Sequence, residues 1–569
     1  MTQATETFAV DEIVARLGRS ADRLLPVLHA LQRACGYLPE AELRRLCEIT
    51  EVTPATVEGV CSFYAGFRRR PVGEHIIRVC VGTACHVKGA SLVHEAFREH
   101  LGVGDDDDTD PQRRFTVEKV ACLGCCTLAP AVQIGEVIYG HLSRQTVPSV
   151  LADYLALQAR RSERREAAAG VGPAGPSEIR VSMDTCCLAR GSQEVYDALN
   201  AAVRADGAPA VVKAVGCAGM SYLEPLVEVA AAGGVAPTLY RRVQPDDAAA
   251  IVRRHFPPRG LDRVRVAVAS WLDRLLTDEA AEPVTRYALD VRDPDLEAFR
   301  GPQVRVATER AAEARPTDLD EYRAGGGFVA LEAARARRPE DVIAHIEASG
   351  LRGRGGAGYP TGRKWRAVRE APGGPKHVVC NGDEGDPGAF MDRMLLESQP
   401  YRVLEGLAIA AWAVGADRAH VYVRAEYPLA VRRLREAVGR CDAAGLLRAA
   451  GEDGAPRSDA VGPGGTGALP VVEVVEGAGA FVCGEETALL ASLAGRRPMP
   501  RPRPPYPSGV GLGGAPTLVN NTETLAVVPW ILRNGPAAWA ALGTERSAGT
   551  KVFALAGKVA RGGLVEVPM

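Results

Sequence analysis

A chain of 569 residues has room for roughly three or four domains with buried cores, and its 68 basic and 70 acidic residues leave a formal charge of −2. That balance argues against a nucleic-acid partner or binding to an anionic membrane surface. No apolar run reaches the length of a membrane span (the best, VLEGLAIAAWAVGA at 403–416, is interrupted by Glu405), and the N-terminus has no secretory pattern, so no direct membrane insertion and a cytoplasmic location are expected.

Taken in chain order, residues 1–75 read as a helical preface. ADRLLPVLHALQRACGY and PEAELRRLCEITEV space their apolar residues by three and four, and TPATVEGVCSFY opens on a Thr cap followed by Pro. A small α/β unit is expected over 76–156: strand HIIRVCVG, helix GASLVHEAFREHL, an acidic solvated turn DDDDTD (105–110), then strands RFTVEKVACLG and AVQIGEVIYG. An Ala/Gly/Pro linker follows at 157–177. The pattern then restarts: EIRVSMDTCCLARGSQEVYDAL aligns without a gap on IIRVCVGTACHVKGASLVHEAF, and VVKAVGCAGMSYLEPLVEV follows TVEKVACLGCCTLAPAVQI. The second copy spans 178–256 and marks an internal duplication. A bridging segment (257–340), an α/β region (341–545) and a strand-like tail (546–569) complete the chain.

Fourteen cysteines in a reducing compartment point to metal ligation or redox chemistry rather than a disulfide scaffold. In the first copy Cys80 and Cys85 form C-x4-C, and Cys122 and Cys126 form C-x3-C, each pair in the loop after a strand. Four such thiolates suit Zn²⁺ or an iron–sulfur cluster. Both spacings are wider than the usual zinc knuckle, which favours a [2Fe–2S] cluster. The helical preface, C-x4-C, and CLGCC before an apolar strand resemble the thioredoxin-like [2Fe–2S] subunit of the NADH-oxidising arm of respiratory complex I, over nearly all of 10–156. Cys125 departs from that family's usual small non-thiol residue. By spacing it is spare, with ligation through it left open. In the second copy the four ligand positions become Ser182, Cys187, Cys217 and Ser221. Even with Cys186 only three thiols are available, so a clusterless domain used for packing or docking is expected.

LRGRGGAGYPTGRKW (351–365) matches G-x-G-x-x-G through Gly353, Gly355 and Gly358, yet PEDVIAHIEASGL before it reads as helix, not strand. The context rejects an ordinary Rossmann turn. Bare glycine backbone beside Arg354, Arg363 and Lys364 suggests a phosphate cradle of another kind. With VVCNGDEGDPGAFMDR (378–393), GAGAFVCGEETALLASLAGRR (477–497) and RPRPPYPSGVGLGGAPTLVNNTETLA (501–526), it closely resembles the flavoprotein subunit of complex I. The relatives of that flavoprotein include the diaphorase subunits of NAD-reducing hydrogenases and NAD-dependent formate dehydrogenases.

That resemblance implies one site holding FMN and NADH stacked. Gly353, Arg354, Gly355 and Lys364 would cradle FMN, with Asn381, Asp383, Gly484, Glu485, Asn520, Asn521 and Thr524 also on the flavin. Tyr359, Glu384, Asp386, Glu486, Arg503 and Tyr506 would line the NADH side, where Glu384 and Glu486 position the nicotinamide nucleotide. No side chain is expected to act as acid or base on substrate carbon. Carboxylates near the ribose favour NAD over NADP. Tyrosines at two phenylalanine positions, Arg503 for lysine, and Ala367 in place of an aromatic depart from the family's commonest pattern.

The expected fold is multidomain α/β: a helical preface with a thioredoxin-like [2Fe–2S] domain, a degenerate second thioredoxin-like domain, a non-classical Rossmann-like FMN/NADH domain, and the start of an incomplete ubiquitin-like domain. No C-x2-C-x2-C occurs, so no [4Fe–4S] ligands are expected in this chain. The family's next domains are expected to be missing beyond Met569. The implied activity is an NADH:acceptor oxidoreductase (diaphorase) module in a soluble formate dehydrogenase or hydrogenase assembly. Its implied partners are an Fe–S-carrying subunit and a formate dehydrogenase or hydrogenase catalytic subunit. The alternatives are a component of respiratory complex I and a truncated, redox-silent interaction protein.

Overall fold

The computed structural model describes residues 9–105, 107–135, 137–164, 177–230, 237–257, 288–289, 294–456 and 469–569. Most of the linker expected at 157–177, and much of the bridging segment, lie outside the described residues.

The preface forms four helices, Ala9–Leu17, Leu24–Cys35, Glu40–Ile49 and Pro54–Cys61. Thr53 caps the last, accepting from the Thr56 amide at 3.2 Å, with Pro54 at the first helical position. Its apolar side chains, Val10, Val14, Leu24, Leu28 and Leu31 among them, share one core with Val379, Tyr422, Val475 and Val519 of a sheet far away in sequence. A buried ion pair, Arg23 to Glu473 at 2.7 Å, and a Tyr64–Ser492 hydrogen bond at 2.6 Å fix that contact.

The first α/β unit has strands β1 (His75–Cys80), β2 (Phe115–Val120), β3 (Val132–Ile134) and β4 (Val137–Tyr139) in the order β2-β1-β3-β4. The second has β5 (Ser177–Ser182), β6 (Ala210–Val215), β7 (Val227–Ala230) and β8 (Thr238–Tyr240) in the equivalent order, with β9 (Ala288–Leu289) added at the edge. His75 faces Phe115 across β1 and β2, and Ser177 faces Ala210 across β5 and β6, which is the register of the sequence repeat. Two details differ from expectation. The helix Val147–Arg164 runs past 156 into the stretch assigned to the linker, because Ala, Leu, Gln and Arg are strong helix formers. Asp110, at the end of the acidic turn, is buried rather than solvated: its carboxylate accepts from the Phe115 amide.

Strands β10 (His377–Gly382), β11 (Arg418–Val423), β12 (Arg448–Ala449), β13 (Val471–Glu476) and β14 (Thr517–Asn521) form an all-parallel sheet in the order β12-β13-β11-β10-β14. The preface covers one face. Helices Pro400–Val414 and Thr522–Asn534 pack in the core on the other, as the apolar character of the strands requires. The apolar run at 403–416 is therefore core, and no helix among the described residues is long and apolar enough to cross a membrane. Glu405 within it is fully buried and accepts from Tyr322 Oη (2.6 Å) and the Ala330 and Leu331 amides (3.1 and 3.2 Å), capping the helix Val329–Arg335. Strands β11, β13 and β12 lie in that order on one side of β10, and β14 returns to its other side. This creates a switch point between the carboxyl ends of β10 and β14.

The tail contains β15 (Gly543–Thr544) paired with β16 (Ser547–Ala548), and β17 (Thr550–Leu555) in an antiparallel hairpin with β18 (Gly563–Pro568). Glu566 of β18 is buried and accepts from the Ala307 and Thr308 amides at 2.8 and 3.0 Å. The Leu564 amide donates to Gly219 of the second α/β unit at 2.8 Å.

Candidate functional site

Three loops converge at the switch point. The glycine loop connects the helices Pro339–Ala348 and Thr361–Glu370, so it follows a helix rather than a strand. Gly356 and Gly358 hold positive φ angles of 108° and 63°, which the turn requires. A Cβ on Gly355 would stand 3.0 Å from the Asn521 side chain, so the glycine brings this loop against the end of β14. Asn381 and Asn521 face one another on the paired strands β10 and β14. Asn381 donates to the Gly484 carbonyl at 2.9 Å, tying in the third loop.

Around this junction the polar groups are only partly satisfied. Asp383 is buried and its Oδ2 has no hydrogen-bond partner. Burial pushes its carboxyl up to about 7, against the lowering pull of Arg424. Glu485 caps the helix Glu486–Leu493 through the Thr487 and Ala488 amides at 2.9 and 3.0 Å. Glu486 bridges two cations, Lys364 and Arg503, each at 2.7 Å. Burial would raise its carboxyl, but these two partners hold it below its ordinary range. Tyr359 and Tyr506 are exposed aromatics, as is Phe481, which lies against Gly385. Asp386 is exposed on the same acidic loop.

Cys80, Cys85, Cys122 and Cys126 lie at the carboxyl ends of β1 and β2, all at most 4% exposed. The Cys122 and Cys126 sulfurs are 3.7 Å apart, and Cys80 is in hydrogen-bonding contact with both Cys122 and Cys85. The Gly124 amide donates to Cys122 at 3.3 Å. Hydrogen bonds from Cys126 and Cys80 hold the Cys122 thiol well below its ordinary range, while its partners Cys80 and Cys126 are pushed up. A second donor comes from outside the unit: the Gly388 amide, on the acidic loop after β10, faces Cys122 and Cys126. One loop thus lines the switch point at Asp383 and the cysteine quartet at Gly388.

Residues 10–155 match the family model described as thioredoxin-like [2Fe-2S] ferredoxin, and residues 346–530 match the Nuo51 FMN-binding domain. The chain carries both domains. An NADH-quinone oxidoreductase subunit of Rhizobium meliloti (strain 1021) is 45% identical over 40% of this chain and 51% of its own length. The NADP-reducing hydrogenase subunit HndC of Solidesulfovibrio fructosivorans is 49% identical over 40% of this chain and 44% of its own. The alpha subunit of the NAD-reducing hydrogenase HoxS of Cupriavidus necator is 28% identical over 98% of this chain and 69% of its own. The chain thus spans about half the length of the first two of these relatives. A crystal structure of an NAD+-reducing [NiFe]-hydrogenase in the air-oxidised state shares the fold, with a TM-score of 0.58, 24% identity, and coverage of 95% of this chain and 67% of that one.

The Nuo51 FMN-binding domain has a donor set that fits its flavin. The orphaned Asp383 oxygen suits a polyol hydroxyl, the glycine backbone suits a phosphate, and Lys364 stands at the edge of the loop. In the [2Fe-2S] ferredoxin domain, four buried sulfurs with two amide donors fit a cluster. Two sequence expectations need correction. The Arg354 guanidinium donates to the Thr550, Arg352 and Ala548 carbonyls at 3.0, 3.1 and 2.7 Å and stacks on Trp539, so its charge faces the tail rather than a phosphate. Glu384 is buried and caps the helix Met391–Ser398 through the Asp392 and Arg393 amides at 3.1 and 3.2 Å, which leaves it no open face toward a nucleotide. Thr524 Oγ1 accepts from the Arg354 amide at 2.8 Å and so serves the loop's anchorage. Cys125 is turned to Arg393, whose Nη1 donates to its sulfur at 3.0 Å.

Sequence reading missed Trp365, whose Nε1 donates to Asn520 at 2.8 Å, and Asp392, which accepts from Asn521 Nδ2 at 2.5 Å. Both orient the paired asparagines. The Trp in a Lys-Trp pair just after a glycine loop was the available signal. Asp392 lies at the end of the acidic motif 378–393, but nothing in that stretch tells that it reaches Asn521, 129 residues away in sequence.

Proposed function

We propose that the chain is a cytoplasmic NADH:acceptor oxidoreductase (diaphorase) module working with FMN and one [2Fe–2S] cluster. The carrying observation is the acidic loop at 383–390, which has Asp383 in the flavin junction and its Gly388 amide on the cysteine quartet. Gly353, Gly355, Lys364, Asn381, Asp383, Gly484, Glu485, Asn520 and Asn521 hold FMN, and Cys80, Cys85, Cys122 and Cys126 hold the cluster. Bound FMN supplies the exchange between two-electron hydride chemistry and single-electron transfer. The protein's task is placement. Glu486, held ionised by Lys364 and Arg503, accepts ribose hydroxyls, while Tyr359 and Tyr506 offer aromatic faces for the adenine. Asp386 adds negative charge at the rim and disfavours a 2′-phosphate.

The match to a hydrogenase alpha subunit along 98% of this chain favours a soluble hydrogenase-type or formate dehydrogenase-type assembly, with an Fe–S-carrying subunit as partner. A respiratory complex I component is the second reading, supported by the higher identity, 45% over 228 residues, of the Rhizobium meliloti NADH-quinone oxidoreductase relative. The deciding experiment measures FMN and iron per purified chain, with EPR spectra after NADH and after NADPH. About one FMN, about two irons and an NADH-dependent [2Fe–2S] signal are expected. Flavin absent from a folded chain would overturn the reading, and equal reduction by NADPH would overturn the nucleotide preference.

A further inference from the structure

The second α/β unit lost two of the four ligand positions of the first, yet its loops hold three thiols closer together than the intact quartet. Cys186, Cys187 and Cys217 have sulfurs all within 4.8 Å of one another, and they are the one such group of three among the described residues. Cys186 lies 3.8 Å from Cys187 and 4.0 Å from Cys217. A tetrahedral ion with metal–sulfur bonds of about 2.3 Å sets its sulfurs about 3.8 Å apart, so this trio already stands near the edges of such a tetrahedron. The quartet is more open, as two irons require.

A fourth donor is present. Glu224 is 2% exposed, and its Oε1 is 3.6 Å from the Cys217 sulfur, while its other oxygen accepts from the Leu226 amide at 2.8 Å. Ser221 Oγ touches Cys186 at 3.7 Å, and the Gly219 amide donates to Cys217 at 3.3 Å. The duplication shows where these donors came from. Cys80 and Cys126 correspond to Ser182 and Ser221, so two ligands were lost. Ala84 and Ala129 correspond to Cys186 and Glu224, so two were gained, and both gains point into the same loop pair. Decay alone has no reason to place two new metal-binding side chains beside the two surviving thiols. Arg190 and Arg393 lie within electrostatic reach of Cys186 and can offset the negative charge of three thiolates and a carboxylate around one divalent ion.

We propose that the second unit binds a single Zn²⁺ through Cys186, Cys187, Cys217 and Glu224, as a closed tetrahedral site that joins β5 and β6 loops facing the flavin domain. The site carries no redox role: a closed four-coordinate zinc is structural, holding together loops that the first unit holds with its cluster.

The test is elemental analysis of the full chain after dialysis against EDTA, with zinc, iron and FMN measured on the same sample. Cobalt-grown protein is examined by absorption for sulfur-to-cobalt charge transfer and tetrahedral d–d bands. About one zinc per chain is expected beside about two irons. Cys186→Ala should drop zinc at least tenfold with iron and FMN unchanged, and Glu224→Ala should make zinc removable by EDTA. Each substitution installs the residue that the first unit carries at that position, and retained FMN reports folding. Should a variant fail to fold, the wild-type zinc content and cobalt spectrum decide alone. Zinc below about a tenth per chain, a disulfide among the three cysteines, about four irons per chain, or full zinc retention in Cys186→Ala would each overturn the proposal.

Discussion

The two α/β units share strand order, register and the placement of their loops, yet they differ in what those loops hold and how they dock. In the first, Gly82 brings the loop after β1 close to Pro387 of the acidic loop, where a Cβ would stand 3.5 Å from that proline and 2.8 Å from the Ala121 carbonyl. In the second, the equivalent residue is Asp184, fully buried, which accepts from Arg433 at 2.6 Å and from the Cys217 amide at 2.8 Å. Thr185 beside it donates through its amide to Glu397 at 2.9 Å. One unit offers its sulfurs to the flavin loop; the other is bolted to the flavin domain by charge. The backbone makes two loops converge in both, and a handful of side chains decides the use.

The strongest way to break this comparison is to remove one sulfur from each unit. Cys122→Ser should abolish the [2Fe–2S] EPR signal and bring iron close to zero, while NADH-dependent dye reduction stays within about twofold. Cys187→Ser should leave iron untouched. Equal iron loss in both variants would show that the units share a cluster function. Next in size is the docking charge. Arg433→Met strands the Asp184 carboxylate in the interior and should cost about 3–5 kcal/mol in urea unfolding, and adding Asp184→Gly should recover part of it. No recovery would mean that Arg433 acts through packing instead.

A smaller effect sharpens the flavin side. Glu486→Gln removes the ionised partner of Lys364 and Arg503 and should raise the KM for NADH by about tenfold, equivalent to ~1.4 kcal/mol, with FMN content unchanged. An unchanged KM would remove Glu486 from the nucleotide site. The least effect concerns pH. Asp383 is pushed up to about 7 from 3.8 by burial, so the folded, flavin-free protein keeps a proton that the unfolded chain has released between those values. Its contribution to stability is fully present below about pH 4 and is lost as pH rises through 7. The Tm of Asp383→Asn relative to the parent should therefore climb between pH 5 and 8 in scanning calorimetry, and a constant difference would contradict the buried, protonated state.

The glycine loop's departure from a Rossmann turn was legible because Val342, Ile343 and Ile346 repeat at helical spacing before it. The duplicated register was legible because two gap-free alignments fall in the same order. What escaped was direction. Arg354 and Glu384 belong to motifs rich in ligand-type residues, but a motif does not say which side of the loop a guanidinium or carboxylate faces. Here burial turned both toward backbone groups that needed partners. The fourth donor beside the cysteine trio escaped for a related reason. Even with Cys186 the sulfurs numbered only three, and Glu224, at a position that is alanine in the first copy, gave no sign of being a fourth donor.

The preface's shared core with the parallel sheet has a consequence for synthesis. Val10, Leu28 and Phe67 emerge from the ribosome early, while Val379, Tyr422 and Val519, against which they pack, come some three hundred residues or more later. At about 5–20 residues per second, the nascent chain carries an uncovered apolar helical surface for on the order of 15–60 s. Dependence on holdase chaperones during translation, and aggregation when elongation is slowed, follow from where the chain keeps the lid of its own sheet.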